Sequence, residues 1–240
     1  MTYQLTSEQQ LDFERTGYLL LKDVFSPDTV EALRSECDRF MQEKDAELDT
    51  LGTDHHDLTF RGQRYFFSQK LKQSPIIEGI CFSETMRAIA RALLGPETFL
   101  FLDQFVVKGP ESEIPFSWHQ DSGYIPYQHK PYLTCWMPLD DVDEANGTVY
   151  LLSYDEAGGR VRVEHRQDEA LNDQVGYHGP LPGTPAILKA GDLALFSSTT
   201  FHRSDANQTP KLRRVFLMQY TAEPIHNPDG RPRHWAEPLN

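Results

Sequence analysis

The sequence has few cysteines and no long apolar run, and these deficits exclude several classes of protein. Its three cysteines, Cys37, Cys81 and Cys135, are too widely spaced for a disulfide framework or a structural zinc site. We expect buried thiols, because free cysteine is mostly buried. No stretch approaches the ~18 apolar residues of a spanning helix, and residues 1–10 lack the basic start and apolar core of a signal peptide. The expectation is a soluble cytoplasmic protein.

Positive charge is also scarce. The chain carries 23 Lys and Arg against 36 Asp and Glu, a net charge of −13 at pH 7. This balance opposes binding to a nucleic acid, and no membrane partner is expected. An anionic small-molecule substrate remains possible, because a local positive pocket can lie inside an acidic protein. The 240 residues suffice for one domain, and their number leaves the oligomeric state open.

Local patterns predict helices near the N-terminus and mainly strands and turns beyond them. The predicted elements are a short helix after Thr6, a strand at 18–24, a helix from Ser26, a helix at 83–94 and a strand at 98–108. Residues 45–57 are acidic and lack a clear period, so they are predicted to form a loop or a frayed helix end. No internal repeat or low-complexity segment is evident.

Two possible metal ligands lie close together in the sequence Phe-Ser-Trp-His-Gln-Asp. Because alternate side chains of a strand share a face, His119 and Asp121 are expected to point to the same side. His202 follows an apolar run much later in the chain and offers a third ligand. Two imidazoles and one carboxylate are the facial triad of non-haem Fe(II) oxygenases, although a His-X-Asp triplet alone also occurs by chance.

Arg213 makes the oxygenase interpretation more specific. It opens the apolar segment 213–220, which has the composition of a buried strand, where an arginine is rarely placed without an anion. A planar guanidinium matches a carboxylate. Ser204 stands two residues after His202, on the same predicted strand face, and offers a further hydrogen bond. These residues together suggest that 2-oxoglutarate binds beside the metal.

The chain resembles the phytanoyl-CoA dioxygenase family. The matching motifs between residues 116 and 220 are 118–127, 135–141 with Asn146-Gly147, 190–192, 202–204, Asn207, Thr209 and 213–214. The N-terminal pattern, with residues 17–21 and 26–28, also resembles the family, and only about 45–75 and 153–185 lack an obvious counterpart. One departure is the stretch 151–159, where family members commonly carry a Pro-Gly-Ser-His type segment. Asp121 separates the chain from related halogenases, which have a small residue there, so halogenation is not expected.

The resemblance implies a role for each candidate residue. It makes His119, Asp121 and His202 the catalytic iron ligands, and it makes Arg213, assisted by Ser204, the partner of the distal carboxylate of 2-oxoglutarate. Two further residues match family positions in the co-substrate pocket. Trp136 would line that pocket or be a core aromatic, and Lys108 would lie near it or form an exposed strand end.

Ligands from distant strands and a neighbouring arginine predict a mainly β protein with N-terminal α-helices, a double-stranded β-helix of the cupin-like jelly-roll type. The predicted single domain, 1–240, divides into helical support at 1–97, a jelly-roll core at 98–222 and a tail at 223–240. A long insertion at about 154–185 is predicted to be a lid over the site, or else disordered. His165 and His178, inside this insertion, are predicted to be surface residues rather than ligands.

The predicted function is an Fe(II)- and 2-oxoglutarate-dependent dioxygenase that uses O2. It would hydroxylate an unactivated C–H bond of a small metabolite or natural-product intermediate and release succinate and CO2. The alternatives are a jelly-roll isomerase or hydrolase and a non-catalytic 2-oxoglutarate sensor. For several residues the sequence leaves open whether they line the substrate pocket, pack in the core or lie on the surface. These residues are Gln104, Arg61, Arg64, Tyr65, Phe66, Phe67, Tyr124, Tyr127 and Tyr132.

Overall fold

The computed structural model describes residues 3–168 and 173–240. Its α-helices are α1 Ser7–Thr16, α2 Pro27–Leu51, α3 Pro75–Cys81 and α4 Glu84–Leu94. Each begins after a hydroxyl side chain that accepts a hydrogen bond from a backbone N–H of the first turn; these residues are Thr6, Ser26, Ser74 and Ser83. Within the described ranges, every helix is too short or too polar to cross a bilayer.

The strands carry most of the chain beyond α4. They are β1 Tyr18–Leu21, β2 His55–His56, β3 Thr59–Phe60, β4 Arg64–Ser68, β5 Phe99–Lys108, β6 Phe116–His119, β7 Leu133–Pro138, β8 Val149–Leu151, β9 Arg166–Asp168, β10 Asp173–Val175, β11 Thr184–Pro185, β12 Leu193–Ser197, β13 His202–Ser204, β14 Arg213–Thr221 and β15 Glu237–Pro238. A 3₁₀ turn, Asp121–Tyr124, follows β6.

In the described part of the chain the strands form three antiparallel sheets. The large sheet has the order β1-β12-β7-β14-β5-β4-β3-β2, with β15 added to β5, the small sheet has the order β11-β8-β13-β6, and β9 and β10 form a two-stranded sheet. Alternation along β5 separates two faces: Phe105 and Val107 pack in a core shared with α2, α3 and α4, whereas Gln104 and Val106 line a cavity between the sheets. The predicted jelly-roll backed by N-terminal helices is confirmed.

The first half of the predicted loop at 45–57 is helical, so that prediction was wrong there. Helix α2 continues because Leu48 is fully buried and Lys44 pairs with Glu47 at 3.0 Å. The helix ends where Gly52 adopts a left-handed conformation with φ of 67°. A single buried leucine in an acidic stretch gives too little periodicity to show this extension in the sequence.

The predicted division at residue 97 stays a prediction, although strands from both sides of it share the large sheet. Strand β1 pairs with β12, and β4 pairs with β5. The part of the chain before residue 98 therefore supplies sheet edges as well as helices. All three cysteines are free and buried, as the sequence predicted.

The described parts of the insertion 154–185 pack against the small sheet. Strands β9 and β10 form a hairpin, and the N–H of Gly176 donates to the carbonyl of Trp118 in β6 at 2.9 Å. Residues 169–172 of this predicted lid lie outside the described residues. The function of the insertion as a lid stays a prediction. Its strand β10 lies beside β6, the strand that carries His119.

Candidate metal centre

The pairing of β6 with β13 brings the two histidines together, because His119 and His202 are direct partners in the register. The expectation that Asp121 shares the strand of His119 was only partly right. Strand β6 ends at His119, and Asp121 opens the following 3₁₀ turn. Gln120 between them is extended, with φ of −110° and ψ of 138°, so both ligand side chains still reach the same point.

The three side chains form a compact metal-binding geometry. The Nε2 atoms of His119 and His202 lie 4.0 and 3.5 Å from Oδ1 of Asp121, and the candidate ligand atoms all lie within 4.8 Å of one another. The Nδ1 atoms lie 2.7 and 3.1 Å from the carbonyl oxygens of Ser117 and Thr200. Each Nδ1–H therefore donates to the backbone, which leaves both Nε2 lone pairs for a metal.

Burial sets the protonation states of these ligands. It lowers the pKa of His119 to about 3, with help from the neighbouring imidazole of His202. Burial alone would raise the pKa of Asp121, but the two imidazoles and the hydroxyl of Thr134 outweigh it, and the pKa lies below the ordinary range. A neutral imidazole and an ionised carboxylate are the forms that bind a divalent metal.

The second carboxylate oxygen of Asp121 is held by two residues that the sequence interpretation missed. Oδ2 accepts hydrogen bonds from the hydroxyl of Thr134 at 2.5 Å and from Nε2 of Gln219 at 3.0 Å. Gln219 also donates to Thr134 at 3.1 Å, and the two face each other across β7 and β14. A sequence signal existed for Thr134, which lies two residues before Trp136 and hence on the same strand face.

Arg213 is a buried cation without an acidic partner among the described residues. It is 2% exposed, and its Nε atom has no hydrogen-bond partner. Burial lowers its pKa to about 9, partly opposed by Asp140, so the guanidinium is still charged at neutral pH. A buried guanidinium that is charged and has no acidic partner requires an anion. The carboxylate of 2-oxoglutarate has the right charge and shape.

Lys108 and Ser204 form a hydrogen-bonded pair beside Arg213. Lys108 is fully buried, so the exposed-strand-end alternative was wrong. Its Nζ donates to the Ser204 hydroxyl at 2.9 Å and to the carbonyls of Ser204 and Asp205. The Ser204 side chain lines the cavity, and Lys108 lies behind it. Trp136 also lines the cavity, and the centre of its ring is 5.9 Å from Cζ of Arg213.

One cavity of about 220 Å³ contains the triad, Arg213, Ser204 and Trp136. Aromatic and aliphatic side chains form most of its wall: Phe66, Phe101, Phe116, Tyr124, Ile125 and Tyr132. Gln104 also lines it. Tyr65 and Phe67 lie instead in the core under the helices, and Tyr127 packs beside the aromatic cluster of Phe101. Roughly half of the predicted aromatic residues therefore face the site, and the others are packing residues.

The two arginines near β4 differ in environment. Arg64 is fully buried, so it does not lie on a solvated loop, and its Nη1 is 3.5 Å from Oδ1 of Asp173. Arg61 pairs with Asp49 at 2.7 Å and with Asp54 at 3.0 Å, close to the surface. The position of Arg64 at the start of β4, on the face opposite to Tyr65, explains why it points inward.

His165 is half-buried rather than fully exposed, whereas His178 is exposed as expected, and among the described residues the candidate metal cluster contains neither. Nε2 of His165 accepts a hydrogen bond from the N–H of Gln120 at 2.9 Å, and its Nδ1 lies 3.0 Å from the carbonyl of Val163. Gln120 lies between the two candidate ligands His119, at the end of β6, and Asp121, at the start of the following turn. His165 therefore attaches the insertion to the metal-binding segment.

Comparisons with known proteins agree with this site. A sequence model of the family described as phytanoyl-CoA dioxygenase (PhyH) matches residues 13–215. Ectoine dioxygenase from Bordetella parapertussis is 25% identical over 260 residues, which cover 97% of this chain and 82% of that protein. The crystal structure of EvdO2 from Micromonospora carbonacea var. aurantiaca, complexed with 2-oxoglutarate, superposes with a TM-score of 0.73 at 21% identity, covering 99% of both chains.

A second solved structure shows another chemistry on the same fold. The epimerase SnoN, in complex with Fe³⁺, alpha-ketoglutarate and nogalamycin RO, has a TM-score of 0.70 at 18% identity and covers 97% of this chain and 94% of its own.

The family match spans most of the chain, so the protein belongs to the phytanoyl-CoA dioxygenase family. The predicted class, an iron- and 2-oxoglutarate-dependent dioxygenase, is confirmed at this level. The residues present fit the cofactors of that class: the His-Asp-His cluster suits Fe(II), and Arg213, which is buried and has no acidic partner in the described part of the chain, suits a dicarboxylate. The second predicted co-substrate, O2, is common to dioxygenases.

Proposed function

We propose that the protein hydroxylates an unactivated C–H bond of a small metabolite or natural-product intermediate and releases succinate and CO2. The observation that supports this most strongly is Arg213, a buried cation in the cavity that holds the triad, which has no acidic partner among the described residues. Iron with 2-oxoglutarate and O2 supplies the oxidising chemistry when bound. The cytoplasmic location stays a prediction from composition.

The side chains of the cavity have separate tasks in this proposal. His119, Asp121 and His202 hold iron and leave positions open for 2-oxoglutarate and O2. Arg213 and the hydroxyl of Ser204 bind the distal carboxylate, and Lys108 orients that hydroxyl. These contacts fix the co-substrate before the substrate arrives.

The walls of the cavity restrict the substrate. A space of about 220 Å³ bounded largely by aromatic and aliphatic side chains accommodates a small or slender organic molecule and excludes water around the reacting carbon. The relatives carry different substrates in their names, such as ectoine, so the family alone does not fix the substrate of this chain. The cavity size favours a small molecule.

The two alternative functions, a jelly-roll isomerase or hydrolase and a non-catalytic 2-oxoglutarate sensor, explain fewer features of the site. An isomerase or hydrolase of the jelly-roll type has no required role for a buried arginine beside a serine. A non-catalytic sensor would need the same residues as the enzyme, so only turnover separates these two. Succinate formation that is stimulated by a substrate would exclude a sensor.

The first test is an anaerobic titration of the protein with Fe(II) and 2-oxoglutarate, followed by the visible charge-transfer band of the chelated 2-oxo acid. We expect Arg213→Ala to raise the 2-oxoglutarate concentration for half-maximal absorbance about ten- to a hundredfold, because a charge-assisted hydrogen bond is lost. Arg214→Ala is the matched control, since the neighbouring Arg214 pairs with Asp140 and Asp38 outside the cavity.

The outcomes separate the candidate functions. A band in the wild type that weakens only in the Arg213 variant supports the proposal. No band in the wild type contradicts it and favours a hydrolase or isomerase. Equal affinities in the wild type and the Arg213 variant would remove Arg213 from the co-substrate site.

A further inference from the structure

Asp173 is the one acidic side chain, apart from the candidate ligand Asp121, that lines the cavity in the described part of the chain. It opens β10 of the insertion and is 3% exposed. The proposed binding of iron and 2-oxoglutarate gives this carboxylate no task. It is therefore a charged group of the cavity that the chemistry described so far does not use.

The carboxylate of Asp173 is only half satisfied. Its Oδ1 lies 3.5 Å from Nη1 of Arg64, whereas charge-assisted hydrogen bonds typically measure about 2.7–2.9 Å. Its Oδ2 is buried and has no hydrogen-bond partner. Burial raises the pKa of Asp173, and Arg64 together with a hydrogen bond from the backbone of Ser117 offsets this only in part.

A purely structural ion pair accounts for these facts poorly. A buried ion pair stabilises a fold only when its geometry is good and its remaining polar atoms are hydrogen-bonded. Buried polar atoms are almost always satisfied in native proteins, and an exception that faces a cavity points to a ligand. The free oxygen of Asp173 requires a donor, whereas the buried Arg213 requires an acceptor.

Asp173 also lies close to the reacting centre. The next residue, Gln174, donates its N–H to the hydroxyl of Tyr124 at 3.4 Å. The ring of Tyr124 meets the ring of His119 edge-on, with 5.5 Å between ring centres. Asp173 and the candidate iron ligand His119 thus line the same cavity, and Tyr124 contacts both His119 and the residue next to Asp173.

We propose that Asp173 recognises the substrate, and that its free oxygen accepts a hydrogen bond from a hydroxyl or a protonated amine of that molecule. This inference rests on the proposed function, because the cavity is taken as the place where the substrate binds. The apolar wall then holds the carbon skeleton, and Asp173 fixes its orientation. The substrate is thus a small, mostly apolar molecule with one N–H or O–H donor near the oxidised carbon.

The test uses the protein loaded anaerobically with Fe(II) and 2-oxoglutarate and two matched pairs of probes. The pairs are cyclohexylammonium with trimethylcyclohexylammonium, and cyclohexanol with methoxycyclohexane, so that each pair differs in its donor. Dissociation constants are measured by ligand-observed NMR at millimolar concentrations. In the wild type, we expect the donor member of at least one pair to bind about tenfold or more tightly than its partner.

Two substitutions distinguish the sources of the donor. Asp173→Asn keeps the shape and one acceptor but removes the charge, so it should abolish a preference for the ammonium and largely keep one for the hydroxyl. Asp173→Leu has a similar shape and no acceptor, so it should abolish both. Glu164→Gln is the control, because Glu164 is an exposed acid of the same insertion.

The visible band of bound 2-oxoglutarate keeps this inference separate from the proposed function. The inference is supported if the band persists in both Asp173 variants while the leucine variant loses every donor preference and the asparagine variant loses a preference for the ammonium. A wild type without any donor preference, or a preference that persists in Asp173→Leu, overturns it and leaves the co-substrate site standing. If the leucine variant loses the band, the asparagine variant decides, since it preserves the shape of the hairpin.

Discussion

At the scale of single residues, the orientation of Asp121 depends on side chains from two other strands. The Oδ1 atom of Asp121 faces the imidazoles, and Oδ2 is turned away by Thr134 and Gln219. A carboxylate fixed in this way offers one oxygen to a metal, so coordination positions stay open for other ligands.

We expect Thr134→Val and Gln219→Leu each to weaken Fe(II) binding about ten- to a hundredfold, the usual effect of losing a hydrogen bond to a metal ligand. Each change frees the Asp121 carboxylate to rotate and leaves Oδ2 short of one donor. Anaerobic Fe(II) titration of the purified variants measures the affinity directly. Thr134→Ser is the matched control, because it keeps the hydroxyl; an affinity as low as that of the valine variant would show that packing, rather than the hydrogen bond, is responsible.

At the scale of elements, the insertion is attached to the metal-binding segment through His165. The ring lies between two backbone positions without side chains: a Cβ added at Gly123 or Gly176 would come within 2.5 or 2.4 Å of it. Glycine is required at both positions because the imidazole occupies the space of a side chain. The contact joins the strand hairpin of the insertion to the turn that begins at Asp121.

Gly176→Ala is therefore expected to displace His165 and break its hydrogen bond with the N–H of Gln120. Overpacking of this kind costs roughly 1–3 kcal/mol. The expected result is at least about tenfold faster hydrogen exchange of the Gln120 amide, measured by NMR. Gly79→Ala is the control, since a Cβ there meets nothing within 4 Å. Unchanged exchange at Gln120 in the Gly176 variant would show that the insertion does not depend on this contact.

The sequence predicted those elements and site residues whose signals are local. Helix starts at Thr6, Ser26 and Ser83 follow from capping, and the triad follows from a short motif with one distant histidine. Thr134 shares a strand face with Trp136, but its contact with Gln219 depends on the register of β7 with β14, which no local pattern contains, so both residues were missed. The contact of His165 with Gln120 was missed for the same reason, since the two residues lie in different parts of the chain.

At the scale of the whole molecule, charge is distributed unevenly between the surface and the interior. The chain has a net charge of −13, yet Arg64, Lys108 and Arg213 form one row across β4, β5 and β14, and all three are buried. Burial and the two neighbouring arginines lower the pKa of Lys108 well below its ordinary value, so the positive charge of this row lies mainly on the arginines. The expectation of a local positive pocket in an acidic protein agrees with the two arginines. An interior of this kind attracts a dianionic co-substrate into the cavity, whereas the surface repels polyanions.

A half-buried histidine, His234, makes the stability of the metal-free protein depend on pH. Burial, assisted by Arg233, lowers the pKa of His234 to about 4 from its ordinary value of 6.5. Between these pH values the unfolded chain binds a proton that the folded chain excludes, so the free energy of unfolding falls as pH falls. The slope from this group is at most about 1.4 kcal/mol per pH unit.

His234→Phe keeps an aromatic ring against Phe101, whose ring centre is 5.0 Å away, and removes the titration. Denaturant unfolding of both proteins from pH 6 to 4.5 (a window chosen between the two pKa values) should give a shallower pH dependence for the variant; parallel curves would mean that His234 takes up its proton in the folded protein as readily as in the unfolded chain.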